Sequence, residues 1–318
     1  MPPRSRQRQG IAAGKRQIAL RRITVTRYFM PMAIKNPFLI TGASGKSGRE
    51  VRRALYSAGA PSRAGVREPR RPGEVRLDFR NPRTWEPALD GAQGVFLLRP
   101  PAIADIDETL GPFIDMARRL GIGHIVFLSV AGAERNPLLP HAAVERRLRA
   151  RPGDWTILRP GFFAQNLEDA YLRDIREENR LYVPAGHGRV AFLDLRDLGA
   201  AAALCLSHPE AHLGRSYTLT GPDAVTFDAV AAALSRATGR KIVYERASVP
   251  GYVRHLRARG APAGLVTVQT LLHVGLSFGQ AAEVAPDLER MLGHPSRSIF
   301  DYIRDNVQLW AAAAEGKG

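Results

Sequence analysis

The sequence predicts an α/β fold: a doubly wound parallel sheet followed by a smaller C-terminal α/β lid region. Three observations point there. Short apolar runs alternate with helical patterns from residue 36 to about 160, the rhythm of strand–helix–strand units. The first apolar run ends in a turn with glycines at 42, 45 and 48, and a helical pattern begins at once. After residue 160 the alternation loosens and an apolar-aromatic loop appears.

In chain order, the apolar runs predict strands over 37–41, 62–67, 74–77, 94–98, 124–129 and 155–158. Helical spacing predicts helices over 46–58, 82–89, 104–120 and 141–150. Farther on come strands 189–193, 216–219 and 241–245, with helices 195–206 and 228–237 and several more beyond. Asp194 and Asp197 flank a helix start and read as caps, and Trp85 and Trp155 read as packing residues. No internal repeat is present.

Composition narrows the function. At 318 residues with 45% hydrophobic content, the chain can bury a sizeable core. The longest apolar stretch, 264–278, is interrupted by Gln269 and His273 and is too short to span a membrane. The single cysteine, Cys205, excludes an intramolecular disulfide framework, reads as a core residue and suits a cytoplasmic location. The net charge of +16 invites a nucleic-acid reading, but half of it falls in residues 1–29, which hold eight basic residues and no acid. That leader lacks the apolar core of a secretory signal. Its composition imitates a transit peptide, and a start assigned too early explains it as well, because Met30 and Met32 stand just before the first strand. Residues 1–35 are therefore expected to be a disordered basic leader outside the fold. Neither nucleic acid nor membrane is expected as a partner; a small-molecule substrate is, and monomer and homodimer both stay open.

The chemistry begins at Gly42-Ala43-Ser44-Gly45-Lys46-Ser47-Gly48. A strand that turns sharply into a helix leaves unpaired N–H groups at the helix start, and with the helix dipole they suit a pyrophosphate. The glycines permit the turn, the approach of the phosphates and the close packing of helix on strand. Gly45-Lys46-Ser47 also resembles the end of an NTP-binding P-loop, but that motif needs glycine at position 40, which is Ile. The second strand ends at Arg67, about twenty residues on, where an acid would hold the ribose hydroxyl of NAD. Arginine there suits the extra phosphate of NADP, although Glu68 follows and a solvated loop arginine is the plain alternative. The fourth strand ends Leu98-Arg99-Pro100-Pro101, whose prolines stop the strand and are expected to expose carbonyls beside the cofactor, with Leu98, Arg99 and Pro100 as candidate cofactor contacts.

With these residues the chain resembles the NmrA-like branch of atypical short-chain dehydrogenases, which carry a Rossmann-like sheet. The likeness rests on the glycine turn, Val66-Arg67-Glu68-Pro69, Phe96-Leu-Leu-Arg-Pro-Pro101, Phe127-Leu-Ser129, Leu158-Arg-Pro-Gly-Phe-Phe163 with Asn166, and Asp194-Leu-Arg-Asp197. It covers about 36–310, and within the branch the chain looks most like ergot-alkaloid-type dehydrogenases and their bacterial relatives. The resemblance implies an NAD(P)-binding domain over 36–160, a substrate-binding lid region over 161–310 that shares the sheet, and a tail over 311–318. It also implies that Asp78 and Phe79 flank the adenine, with a helix cap as the alternative for Asp78, and that Pro160 lies at the cofactor. Phe162, Phe163 and Asn166 would line the substrate site, helped by Tyr182 and Phe192.

Ordinary relatives donate a proton from Tyr-x-x-x-Lys, yet none of the eight tyrosines here has Lys four residues on. Ser129, at a strand end, and His141, four residues from Glu145 on one helix face, are the candidate catalytic residues; both are also candidate cofactor contacts. Hydride addition to an iminium carbon or a quinone needs no positioned acid. The expected activity is therefore reduction of a conjugated electrophile with NADP(H) preferred over NAD(H). The alternative is a non-catalytic NAD(P)-sensing protein that binds a protein partner.

Overall fold

The computed structural model describes residues 36–311, so the expectations for the basic leader and for 312–318 lie outside the described residues. The first half builds β1 (Phe38–Thr41), α1 (Lys46–Ser57), β2 (Ser62–Val66), β3 (Glu74–Arg76), α2 (Trp85–Leu89), β4 (Gly94–Leu98), α3 (Leu110–Arg119), β5 (Ile125–Leu128), α4 (Pro140–Arg149) and β6 (Trp155–Pro160). The second half adds β7 (Phe162–Phe163), α5 (Leu172–Glu177), β8 (Arg180–Val183), β9 (Arg189–Leu193), α6 (Leu195–Ser207), α7 (Pro209–His212) and β10 (Arg215–Leu219). It closes with β11 (Ala224–Thr226), α8 (Phe227–Thr238), β12 (Val243–Arg246), α9 (Val249–Ala258), α10 (Ala263–Ser277), α11 (Asp287–Leu292) and α12 (Ile299–Asp305).

The main sheet has seven strands in the order β10-β6-β5-β4-β1-β2-β3, and its pairs are all parallel. The chain leaves β1 toward β2 and returns to β4 on the other side of β1. The topological switch, where ligands of such sheets bind, thus lies between β1 and β4. Alternation along β1 sends Leu39 and Ile40 to opposite faces. Ile40 joins Val51 of α1 and Leu198 and Ala201 of α6. Leu39 joins Phe113 and Ile114 of α3 and Phe127 of β5. Burial on both faces is why these strands read as continuous apolar runs.

The later region keeps a core of its own, built from Tyr171, Phe192, Phe227, Leu234, Tyr252 and Trp310. β10 returns to the main sheet beside β6. β7 and β11 flank β9 in a three-stranded sheet, and β8 pairs with β12. Trp85, Trp155 and Cys205 are buried, and Asp194 caps α6 through the Arg196 amide at 2.8 Å.

The helix expected over 104–120 forms only from Leu110. Before it, the Asp105 carboxylate accepts from the Glu108 amide at 3.1 Å, and the Thr109 hydroxyl donates to the Asp105 carbonyl. Such local bonds offer the backbone an alternative to helix. The 82–89 helix likewise opens as a 3₁₀ turn over Pro82–Thr84, capped by Asn81.

Trp310 is fully buried, and its indole N–H donates to the Leu167 carbonyl at 2.9 Å. Its own carbonyl accepts from Arg240 at 2.6 Å. Trp310→Ala is expected to lower unfolding stability by about 3–5 kcal/mol, read from the urea midpoint.

Candidate active site

The glycine turn has the geometry of an anion cup. Gly42 adopts φ +62°, and the Gly45 amide donates back to the Gly42 carbonyl at 2.9 Å. Gly48 packs so closely that a Cβ there would lie 2.4 Å from the Gly42 oxygen and 2.8 Å from the Ala43 Cα. Gly45 is the N-cap of α1, no side chain caps the helix, and its first turn holds no acid. The amides and dipole at this end are left for an anion. Ala43 is buried beneath the turn, Ser44 and Gly45 are exposed, and Ser47 is half-buried. Thr41 Oγ1 accepts from the Leu98 amide at 2.8 Å, which ties the ends of β1 and β4 across the switch point.

Lys46 is paired with carboxylates. Its ammonium lies 2.6 Å from Glu168 and 2.7 Å from Asp169, so it joins the turn to the segment after β7. Beside the cup, an open groove of about 640 Å³ is walled by Arg49, Arg52, Arg67, Arg70 and Arg71 against only Glu68 and Glu74. Glu74 is spent on the Arg70 and Arg71 amides at 2.7 and 3.1 Å, which shapes the loop; these bonds, the Arg70 amide foremost, hold its carboxyl below the usual range. Arg67 was legible from the sequence; the other four arginines needed the fold to meet.

Asp78 accepts the Arg80 amide at 2.9 Å, and its carbonyl accepts the Trp85 indole N–H at 2.9 Å. Phe79 is buried edge-on against Phe113, with ring centroids 5.1 Å apart. The β3 end is thus locally engaged.

The β4 end differs from expectation. The Pro100 and Pro101 carbonyls accept from Arg99 Nη1 at 3.0 and 3.3 Å, and so does the Ile103 carbonyl. The exposed carbonyls foreseen beside a cofactor are turned onto this guanidinium, because a half-buried cation draws the nearest acceptors. Arg99 Nε also donates to His141 Nε2 at 3.4 Å. Burial, and then the Arg99 charge, lower the His141 pKa to about 4. His141 is therefore neutral at pH 7; with Nε2 accepting, its proton sits on Nδ1. It can offer a hydrogen bond there, but holds no imidazolium proton to give.

Glu145 does not hydrogen-bond His141, the partner that helix spacing suggested. It accepts from Ser129 Oγ at 2.6 Å and from Arg159 Nε and Nη2 at 3.0 and 2.6 Å. Burial raises the Glu145 pKa, but the bonds from Arg159 and Ser129 and the charges of Arg159 and Arg149 outweigh it and keep the group ionised. Arg159 sits on β6 and Ser129 just past β5, so this buried network ties both strand ends to α4. No local pattern in the sequence announced Arg159 as a member.

Pro160 is buried at the end of β6, and its carbonyl accepts from the Ala131 amide at 3.1 Å. Phe162 and Phe163 occupy successive positions of β7 and point to opposite sides. Phe162 meets Phe192 and His273 edge-on, whereas Phe163 packs against the main-sheet core. Both are half-exposed, as is Asn166. Phe192 is only 2% exposed and Tyr182 lies under Arg180, so neither is an open pocket wall; strand alternation and the Arg180 stack account for this. The wall behind Phe162 is polar at depth: the Tyr171 hydroxyl contacts His273 Nε2, and His273 Nδ1 donates to the Gln269 carbonyl at 2.6 Å. Burial lowers the His273 pKa to about 4.

His124, whose pKa burial also lowers to about 4, joins His141 and His273 as groups protonated more readily in the unfolded chain. Between pH 6.5 and about 4 the unfolded state binds the extra protons, so stability falls with falling pH. The slope contributed by each is up to about 1.4 kcal/mol per pH unit. Urea midpoints at descending pH should show this loss, and His141→Gln should flatten it.

The chain is similar to known proteins over most of its length. The model described as "NmrA-like family" matches residues 35–301. An NAD(P)H azoreductase of Xenophilus azovorans is 30% identical over 292 residues, covering 86% of this chain and 99% of the relative. Agroclavine dehydrogenase of Claviceps fusiformis is 28% identical, covering 86% of this chain and 98% of the relative. The crystal structure of the Escherichia coli NADPH-dependent quinone oxidoreductase QOR2 complexed with NADPH superposes with a TM-score of 0.74 at 26% identity, covering 85% and 98% of the two chains. The expected likeness to ergot-alkaloid-type dehydrogenases is present among these relatives. By its sequence match and its sheet, this chain belongs to the NmrA-like family.

Proposed function

We propose that the protein is an NADPH-dependent reductase that passes hydride to a small conjugated electrophile such as a quinone, an azo compound or an imine. The observation that carries this reading is the uncapped amino end of α1 beside a groove of five arginines. A dinucleotide diphosphate fits the first, and the additional 2′-phosphate of NADP fits the second, since guanidinium forks pair well with phosphate. The named relatives, an azoreductase, a quinone oxidoreductase and dehydrogenases, support the reaction class.

A bound nicotinamide supplies a hydride; the chain supplies position and polarity. The Thr41–Leu98 bond fixes the crevice at the switch point. The Ser129–Glu145–Arg159 network fixes the ends of β5 and β6 beside it. His141 presents a neutral N–H. Without a proton donor poised near neutral pH, the site favours acceptors whose reduction needs none in the hydride step.

A purified sample should oxidise NADPH, followed by nicotinamide absorbance, with at least one member of a quinone, azo-dye and cyclic-imine panel. Turnover of none, combined with tight binding of both oxidised and reduced cofactor, would instead mark a dinucleotide sensor. Arg67→Asp is expected to cut the preference for NADP over NAD by about 10–100-fold, the worth of one or two charge-assisted hydrogen bonds. An unchanged preference would remove Arg67 from the cofactor site.

A further inference from the structure

The cations at the carboxyl edge of the sheet differ in how they are neutralised. Arg159 lies 2.6 Å from Glu145 and 3.2 Å from Glu134. Lys46 holds Glu168 and Asp169. Arg99 donates only to three carbonyls and to a neutral imidazole, and among the described residues no carboxylate lies within ion-pair distance of it. Its Nη2 finds no acceptor among the described residues. Burial lowers its pKa, as befits a half-buried cation without a counter-ion.

Its place matters as much as its charge. Arg99 follows Leu98, whose amide is bonded to Thr41 at the switch point and whose side chain lies against Gly42. The contact with His141, at the start of α4, carries the guanidinium toward the β5 side of the crevice. Three carbonyls hold Nη1 on the loop after β4, so the guanidinium is preorganised rather than free to follow a ligand.

We infer that Arg99 selects the substrate by charge: it stabilises the anion formed when a neutral acceptor takes up hydride, and it disfavours acceptors that are themselves cations. The inference rests on the reductase reading above. Hydride uptake by a neutral quinone gives the hydroquinone monoanion, which takes one proton from water, while NADPH is oxidised to NADP⁺. The electron pair arrives on a carbonyl oxygen, where a fixed guanidinium gains in the transition state. The same hydride added to an iminium or triarylmethyl cation forms a C–H bond and gives a neutral product. There the guanidinium gains nothing as charge disappears, and it repels the incoming cation. Within one reaction class, Arg99 therefore places this chain with reducers of quinones and other neutral acceptors, and against reducers of cationic dyes and iminium ions.

The test compares 1,4-naphthoquinone with crystal violet, a triarylmethyl cation, on the wild type, Arg99→Met and Arg99→Lys. Arg99→Met should lower kcat/KM for the quinone by about 10–100-fold and leave that for crystal violet unchanged or raised by up to about 10-fold. Arg99→Lys should fall between, having kept the charge but lost the fork. Calorimetric affinity for NADPH should stay within about 3-fold of wild type in both variants. A parallel fall on both acceptors overturns the inference, and so does a loss of NADPH affinity, which would reassign Arg99 to the cofactor diphosphate. If Arg99→Met fails to fold, Arg99→Lys and the wild type decide: a wild type that turns over crystal violet as well as the quinone, with Arg99→Lys insensitive to acceptor charge, overturns it too. A wild type that reduces no acceptor at all defeats the reductase reading itself, an outcome distinct from quinone turnover that is indifferent to Arg99.

Discussion

The carbonyl of Gly42 and the α-carbon of Gly48 are pressed together, and much of the site follows from that contact. It forces α1 to start directly over the end of β1, with a glycine as N-cap and no side chain to occupy the helix amides. Those amides then face the one crevice where the winding of the sheet reverses. A methyl group at position 48 would displace the helix from the strand, and the cup would lose its floor. The Thr41 hydroxyl bonded to the Leu98 amide closes the same crevice from the β4 side, so both walls are fixed by buried groups.

Around that cup the charges are sorted by whether they are already spent. Arg159 is committed to carboxylates inside the fold and contributes architecture. The arginines of the β2–β3 loop outnumber their acids and lie at the adenosine end expected for a dinucleotide. Arg99 is fixed by carbonyls, which orient it without neutralising it. Burial first, and the Arg99 charge second, keep His141 unprotonated near neutral pH. An acid and a bare cation in contact would each weaken the other, and the site keeps the cation.

Period and punctuation made most of the sheet readable in the sequence. β4 and β9 have the expected bounds, β1 and β10 differ by a residue at one end and β5 by a residue at each end, because buried strands announce themselves as short apolar runs between glycine, proline and charge. What failed was decided by side-chain bonds or by distant partners. Asp105 and Thr109 captured backbone groups that a helix would have used. The two-residue strand β7 is too short to carry a period, so its alternation, which separates Phe162 from Phe163, was invisible. Glu145 sits at the right helical spacing for His141, yet charge decided the pairing. A guanidinium from β6 with two donors outbids a neutral imidazole for a buried carboxylate.

The second half of the chain is mechanically part of the sheet, which bears on how the crevice is held. β10 extends the main sheet beside β6, and α6 packs on the same face as α1. Lys46, one residue into α1, reaches the segment after β7 through two carboxylates. Phe162, on β7, rests on His273, whose tautomer is set by the Gln269 carbonyl on one nitrogen and the Tyr171 hydroxyl on the other. Lys46 and Phe162 are thus each held by bonds or by a packed ring. For hydride transfer this rigidity is useful in itself. The rate depends steeply on the distance between donor and acceptor carbons, so a reductase gains from walls that hold two rings in register and from the field in which they react.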